Sequence, residues 1–385
     1  CTVYKWQKLF INFTILYINN KNDEKMLEFK LKDLDIINEL DKFGPQIPTT
    51  QISRNLNIPA RTIRYRLAKL KEEKLLIPAF VFMNERKLGL GEQILLLEEN
   101  QKFQSKILQI LNSSPTFYWH ARTYGKFNGF LVHSLFNLSM PNTNSIIISE
   151  MINKNLIKEY QIFQIVDYHH KSMNYKKYLP RTGWAMKWDD WFKSIDNLDV
   201  ISEILDTKLN ESSNLVDFDY KDILILQQLS IDGSITLQQL GNILNLSKTQ
   251  IRKRILNLKR KNIIKVIKPI FSPIPKDQML YLYCFVEVGK LKKEFIENIC
   301  QIPFSFMFIF ESVNKYCIRL NISRKDMVSF MNSFEFLKEY IDSYFIQFIF
   351  ENPTARNPEL FEFYNRHTKK WEIDINRIIT IIKKI

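Results

Sequence analysis

The chain lacks the signatures that mark most enzymes and most secreted or membrane proteins. It has four cysteines in 385 residues, at Cys1, Cys284, Cys300 and Cys317. No two form a CxxC pair, which excludes a zinc ribbon, and their scatter argues against a disulfide framework. A reducing cytoplasm is the expected compartment. There is no P-loop, no Gly-rich dinucleotide fingerprint, no HExxH and no GxSxG. The five histidines (His120, His133, His169, His170 and His367) show no metal-ligand spacing. His169 and His170 are adjacent and are expected on opposite faces of a strand. The longest apolar run near the start, residues 9–18, is interrupted by Asn12 and Thr14 and is too short to span a bilayer. These absences predict no catalytic set, no metal, no cofactor and no membrane partner: the chain reads as something other than an enzyme.

What is present is charge and apolar bulk. The formal net charge is +14, which favours a polyanionic partner, and hydrophobic residues make up 45%, enough for sizeable cores. The length suggests two to three domains. "MLEFKLKDLDIINEL" begins at Met26, so residues 1–25 are expected to be an upstream extension.

A pattern occurs twice. "ARTIRYRLAKLKEEKLL" starts at Ala60 and "KTQIRKRILNLKRKNII" at Lys248, 188 positions later (248 − 60). Before the first copy, Leu34, Ile37 and Leu40 form a helical stripe, "FGPQIP" breaks it, and Ile52 and Leu56 point inward from a second short helix. Ile63, Leu67 and Leu70 give the third helix its buried face, and "LLIPAFVF" reads as a strand. The second copy repeats each step. Ile223, Leu226 and Leu229 come first, and Thr236/Gln239 and Ser247/Gln250 form two capping boxes. Ile251, Ile255 and Leu258 follow, and then the strand "IIKVI". Three short helices, a tight turn before the third and a strand describe a winged helix-turn-helix.

The third helix carries the charge. With Ile63 facing the core, a 100° step points Arg61, Tyr65 and Lys69 outward with Thr62 nearby, and puts Arg64 and Arg66 on the flanks. From Ala60 to Lys71 there are five basic residues and no acidic one, and from Lys248 to Lys261 seven and none. A helix so presented can enter a major groove while its flanks meet phosphate. The DNA-facing candidates are Arg61, Thr62, Tyr65 and Lys69, and in the second copy Thr249, Lys253 and Asn257. Arg64, Arg66, Arg252 and Arg254 are the phosphate candidates. Double-stranded DNA is the expected partner.

Behind each winged helix the apolar runs and helical patterns follow the order βαββαβ, the ferredoxin-like unit. The first lies within residues 86–175 and the second within 271–352. The fold class is therefore α+β, with two winged helix-turn-helix domains (26–85 and 216–270), each followed by a ferredoxin-like domain. Residues 176–215 form a connection in which Trp184, Trp188 and Trp191 fall on one helical face that should pack on the first half. "DTKLNESSN", residues 206–214, reads as a hinge, and residues 353–385 close the chain with a helix.

With "IPARTIRYRLAKLKEEKLL", "LSKTQIRKRILNLKRKNII" and "KLGLG" in hand, the chain resembles the Lrp/AsnC transcription regulators, in tandem. The resemblance covers most of residues 30–350. It implies a sequence-specific DNA-binding regulator acting as a covalent pseudo-dimer, with homo-oligomerisation left open. It also implies a small-molecule effector near a Gly-x-x-Asp turn. Here that turn is "YGKFNGFLV", with Gly125 and Asn128, and in the second copy "FESVNKYCI", where Glu311 replaces the glycine and Asn314 remains. Asn lacks the charge to pair with an ammonium, so free amino acids should bind weakly or not at all. Siroheme decarboxylases resemble the same architecture. On that alternative His120 and Arg122 would meet tetrapyrrole carboxylates. A third alternative is an interaction scaffold that binds no DNA.

Overall fold

The computed structural model describes residues 31–179, 183–188, 191, 215–273, 278–289, 292–350, 353–355 and 359–384. Residues 1–25 and the expected hinge at 206–214 lie outside them.

The first winged helix is built from α1 (Leu31–Phe43), α2 (Thr49–Leu56), α3 (Ala60–Glu72) and the wing strand β1 (Leu76–Met83). Its apolar stripes converge as the spacing requires: Leu34, Ile37, Leu40, Ile52, Ile63 and Leu70 share one core. Burying each such side chain contributes about 1.5–3 kcal/mol. The turn into α3 places Asn57 in the left-handed region at φ 53°, and the turn out of it places Lys74 at φ 58°. Asn tolerates that conformation, which ends α2 sharply and lets Pro59 start α3.

The second winged helix comprises α6 (Tyr220–Ile231), α7 (Leu237–Leu244), α8 (Lys248–Arg260) and β7 (Ile264–Phe271). Asn245 (φ 53°) and Asn262 (φ 54°) repeat the same two turns. Both expected capping boxes form, Thr236 with Gln239 and Ser247 with Gln250, and Asp219 with Asp222 adds a third.

The two wings pair with each other. β1 and β7 run antiparallel, with Leu76 opposite Phe271 and Met83 opposite Ile264. Each half also reaches across: the Gly233 amide donates to the Ala79 carbonyl at 2.9 Å, and the Lys268 ammonium bonds the Asp41 carbonyl at 2.8 Å.

Behind the wings the first ferredoxin-like unit runs β2 (Leu90–Glu99), α4 (Gln104–Ser113), β3 (Phe117–Gly125), β4 (Gly129–Asn137), α5 (Thr143–Asn153) and β5 (Ile157–Ile165). The chain continues directly into β6 (Asp167–Lys171). The second unit runs β8 (Met279–Glu287), α9 (Lys292–Cys300), β9 (Phe306–Phe310), β10 (Lys315–Ser323), α10 (Arg324–Leu337) and β11 (Ser343–Ile349). All these strands share one sheet, in the order β5-β2-β4-β3-β11-β8-β10-β9-β6. Its two ends, β5 and β6, are successive stretches of the same chain, and the Val166 amide between them donates to Phe310. The sheet therefore closes into a barrel of eight strand positions, with β5 and β6 sharing one. Ile94, Leu96, Trp119, Leu131, Phe163, Tyr283, Phe285 and Cys317 fill its interior. The helices lie outside, with α4 and α5 on one half and α9 and α10 on the other.

Two expectations about packing are corrected. The tryptophans do not share one helix: Trp184 sits in a two-residue strand, Gly183–Trp184. Trp188 and Trp191 pack on the second half, not the first, and Trp184 touches both, lying against Tyr178 at 4.7 Å and against Phe304 at 6.2 Å. Trp191 donates to the Asn298 carbonyl at 2.7 Å and stacks on Phe330, because the α9–α10 layer offers the apolar surface. The closing helix α11 (Asn376–Lys384) returns to the first half and buries Ile378 and Ile382 against α4 and α5. No helix among the described residues is long and apolar enough to cross a membrane.

Candidate functional site

The outward face of α3 exposes Arg61, Thr62, Arg64 and Tyr65, with Tyr65 64% accessible. Lys69 is half-buried and lies 3.5 Å from Glu73. On α8, Thr249, Arg252 and Lys253 are exposed, while Asn257 is half-buried and accepts from Arg260 at 2.8 Å. Two of the phosphate candidates have another task. Arg66 grips Asp33 on α1 with two bonds, Nε to Oδ1 at 2.6 Å and Nη2 to Oδ2 at 2.5 Å. Arg254, its counterpart, bonds Asp219 at 2.9 Å and Asp222 at 2.8 Å on α6. Their guanidinium groups tie the third helix to the first in each copy, so the phosphate reading of Arg66 is corrected: its Nε–Nη2 fork is already filled by a carboxylate, whereas Arg254 holds its two carboxylates through Nη1 alone.

The expected effector turn is also filled. Gly125 pairs with Gln347 across the β3–β11 seam. The Gln347 amide nitrogen donates to Thr123 Oγ1 at 3.0 Å and to the Phe127 carbonyl at 2.9 Å, and its oxygen accepts from the Phe127 amide at 3.1 Å. A Cβ on Gly125 would come within 2.2 Å of the Ile346 carbonyl. The Gly125–Asn128 turn therefore serves as the joint between the halves, with the Asn128 amide donating to Glu98. In the second copy the Asn314 carbonyl accepts from the Val288 amide, and Glu311 accepts from the Gln164 amide at 2.8 Å. Gly125 is thus committed to the seam, while Asn128 and Asn314 are exposed and enter these bonds through their backbone.

A second cluster lies where the barrel meets the wing pair. His133 on β4 stands opposite Ile94, and Arg319 on β10 stands opposite Tyr283 in the matching register, so His133 and Arg319 occupy equivalent positions of the two halves. They meet inside the barrel. His133 packs edge-on to Trp119 at 5.2 Å. The Arg319 guanidinium lies over Trp119 at 5.5 Å and over Tyr283 at 5.6 Å. His133 Nε2 is 3.1 Å from the Tyr283 hydroxyl, and Nδ1 is 3.1 Å from Glu92 Oε1. The Tyr118 hydroxyl donates to the same Glu92 oxygen. A carboxylate facing Nδ1 fixes the tautomer: Nδ1 donates to Glu92 and Nε2 accepts from Tyr283. Burial holds His133 below the usual histidine range in spite of Glu92. No hydrogen bond to the Arg319 guanidinium occurs among the described residues, so its planar donors remain available.

Beside Glu92 lies a cavity of about 10 Å³, lined by Asn84, Glu85, Arg86, Asp167, Tyr168 and Lys265. That is room for about one water. Burial, reinforced by Glu92, pushes the Glu85 carboxyl up to about 8. It therefore holds a proton at neutral pH. Lys265 from the second wing bonds Asp167 and the Tyr168 carbonyl, and the Arg86 Nε is buried without a hydrogen-bond partner among the described residues.

The residues proposed for tetrapyrrole carboxylates do not reach this cluster. His120 lies 3.2 Å from Asn112 on α4, and Arg122 bonds Glu99 at 2.5 Å. Alternation along β3 sends both to the helix-covered face, while Trp119 and Ala121 enter the barrel. His133 was visible in the sequence without a partner. Arg319 carried no signal there, because its meaning depends on the closure of the sheet.

Comparison with known proteins bears on both sites. The family described as Winged helix-turn-helix DNA-binding matches residues 30–76 and 218–265. The crystal structure of the siroheme decarboxylase NirDL is similar over 91% of this chain and 98% of its own, at 9% identity and a TM-score of 0.53. Its co-complex with an iron-uroporphyrin III analogue matches over 92% and 99%, at 10% identity and 0.53. The structure of AsnC from E. coli matches 36% of this chain and 93% of its own, at 15% identity and a TM-score of 0.31. No curated protein matches. The chain is thus a tandem protein of two winged helix-turn-helix units, each followed by a ferredoxin-like unit, as the resemblance implied. The expectation of a non-enzyme is overturned, since the fold that spans nearly the whole chain is one that carries an enzyme.

Proposed function

We propose that the chain is a decarboxylase-type enzyme acting on a carboxylate-bearing substrate of the iron tetrapyrrole class, with its site at the mouth of the barrel under the wing pair. One observation carries the reading: the Arg319 guanidinium, bare of hydrogen bonds among the described residues, lies over two aromatic rings beside the chain Tyr283–His133–Glu92. Arg319 supplies a planar fork for a substrate carboxylate, and Trp119 and Tyr283 supply faces for a flat ring system. Decarboxylation breaks a carbon–carbon bond, releases carbon dioxide and leaves an electron pair that must take up a proton. Protonated Glu85 is the proton donor to hand. The fold shared with NirDL supports the same reading. Tyr283 is fully buried and Trp119 nearly so, so entry requires the wing pair and the barrel mouth to part.

Anaerobic incubation of the purified chain with siroheme tests this. Binding should alter the Soret band, and turnover should release carbon dioxide with the matching mass loss. Arg319→Met should abolish binding while the fold persists. Wild-type protein that leaves the Soret band unchanged and the substrate intact would refute the proposal.

A second reading has its own observation. The exposed faces of α3 and α8 carry Arg61, Arg64, Arg252 and Lys253, and no carboxylate occurs from Ala60 to Lys71 or from Lys248 to Lys261. They favour a DNA-binding regulator, in which the barrel site would serve as a ligand sensor. Retention of duplex DNA with a steep salt dependence tests it.

A further inference from the structure

The two third helices belong to one chain, and the fold joins them internally. The β1–β7 pairing relates the winged helices by a pseudo-twofold axis, as the matching turns at Asn57 and Asn245 and the matching struts Arg66–Asp33 and Arg254–Asp222 show. The sheet joins the two halves within one chain, its end strands β5 and β6 being successive stretches of that chain. The unit that presents two recognition helices is therefore already complete in a single chain.

Its two helices are not alike. Equivalent outward positions hold Arg61 and Thr249, Tyr65 and Lys253, Lys69 and Asn257. Arg offers two parallel donors suited to guanine, Asn pairs with adenine, and an exposed tyrosine ring offers apolar contact. Tyr65, at 64% exposure, has no counterpart of its kind on α8.

We infer that one chain reads a duplex with two unlike half-sites, one for α3 and one for α8, without a second copy. This rests on the DNA-binding reading above. Helix-turn-helix pairs set half-sites about one helical turn apart, roughly 10–10.5 bp or a multiple.

The test is selection from random duplex DNA with the full chain at low salt, followed by measurement of the mass of the complex. The expected result is an asymmetric motif, bound by one chain per duplex. Arg61→Ala with Tyr65→Ala should relax one half-site only, with roughly tenfold weaker binding to the selected site. Lys253→Ala should relax the other. These side chains are exposed, so the variants should fold. A perfect palindrome bound by two chains, or equal loss at both half-sites, would overturn the inference. Retention of duplex without any enriched motif would overturn it too, while leaving DNA binding intact. Failure to retain any duplex at low salt would overturn the DNA-binding reading itself.

Discussion

Replacing Arg66 separates a strut from a DNA contact. The Asp33 carboxylate is 2% exposed and Arg66 is 13% exposed, and two short bonds join them. Removing one partner of a buried pair costs about 3–5 kcal/mol, because a charge is left behind in poor solvent. The slight exposure of Arg66 admits some water, so Arg66→Ala should cost about 2–3 kcal/mol. Arg254 is 27% exposed, and of its partners Asp219 is 54% exposed and Asp222 7%. Screening should reduce the cost of Arg254→Ala to about 1 kcal/mol. Urea unfolding of the full chain would measure both as shifts in midpoint at constant slope. Asp33→Leu combined with Arg66→Met should recover most of the loss, since a well-packed apolar pair replaces a buried ionic one at little net cost. On any duplex that the chain retains, Arg66→Ala should leave the salt slope unchanged. A variant as stable as the wild type whose salt slope falls by about 0.9 would refute the argument and make Arg66 a phosphate ligand.

Four other outcomes are expected. Gln347→Leu would strand the Phe127 amide and carbonyl at the seam and should lower stability by about 2–3 kcal/mol, read from urea midpoints. Gly129→Ala would set a Cβ 2.3 Å from the Leu97 carbonyl and 2.6 Å from the Glu99 amide; backbone cannot yield easily, so a loss above about 2 kcal/mol is expected from thermal melts. The Glu85 carboxyl binds its proton more tightly in the folded chain, up to about 8, so stability should fall as pH rises from the ordinary carboxyl range to about 8. His170, which burial and neighbouring Lys268 and Lys171 hold down at about 4, acts the other way: it stabilises increasingly as pH rises from about 4 to the ordinary histidine value of 6.5. The fall should thus be cleanest between 6.5 and 8, and a Glu85→Gln variant that keeps the same slope there would contradict it. Finally, if about six of the third-helix cations meet phosphate, log K against log[salt] should have a slope near −5, and flat binding would count against contact through these faces.

Local order along this chain was legible without coordinates. The stripes Leu34–Ile37–Leu40 and Ile223–Leu226–Leu229, the capping boxes at Thr236 and Ser247 and the 188-residue repeat determine two winged helices, because helix period, caps and turns depend on near neighbours. The exposure of Tyr65, Arg61 and Lys253 followed from the same period. What the tertiary structure alone decided involves partners far apart in the chain. Arg66 looked like an outward cation until Asp33, 33 residues earlier, claimed it. Nothing near Gly125 in the sequence announced that Gln347, on the other half, would pair with it and bond Phe127. His120 and His133 are indistinguishable by composition, yet strand alternation and barrel closure send the first to the helices and bring the second to Arg319's rings, 186 residues away (319 − 133). Pairing register has a period of two and carries no long-range label in the sequence, so which side chains meet inside the barrel is settled only when the sheet closes.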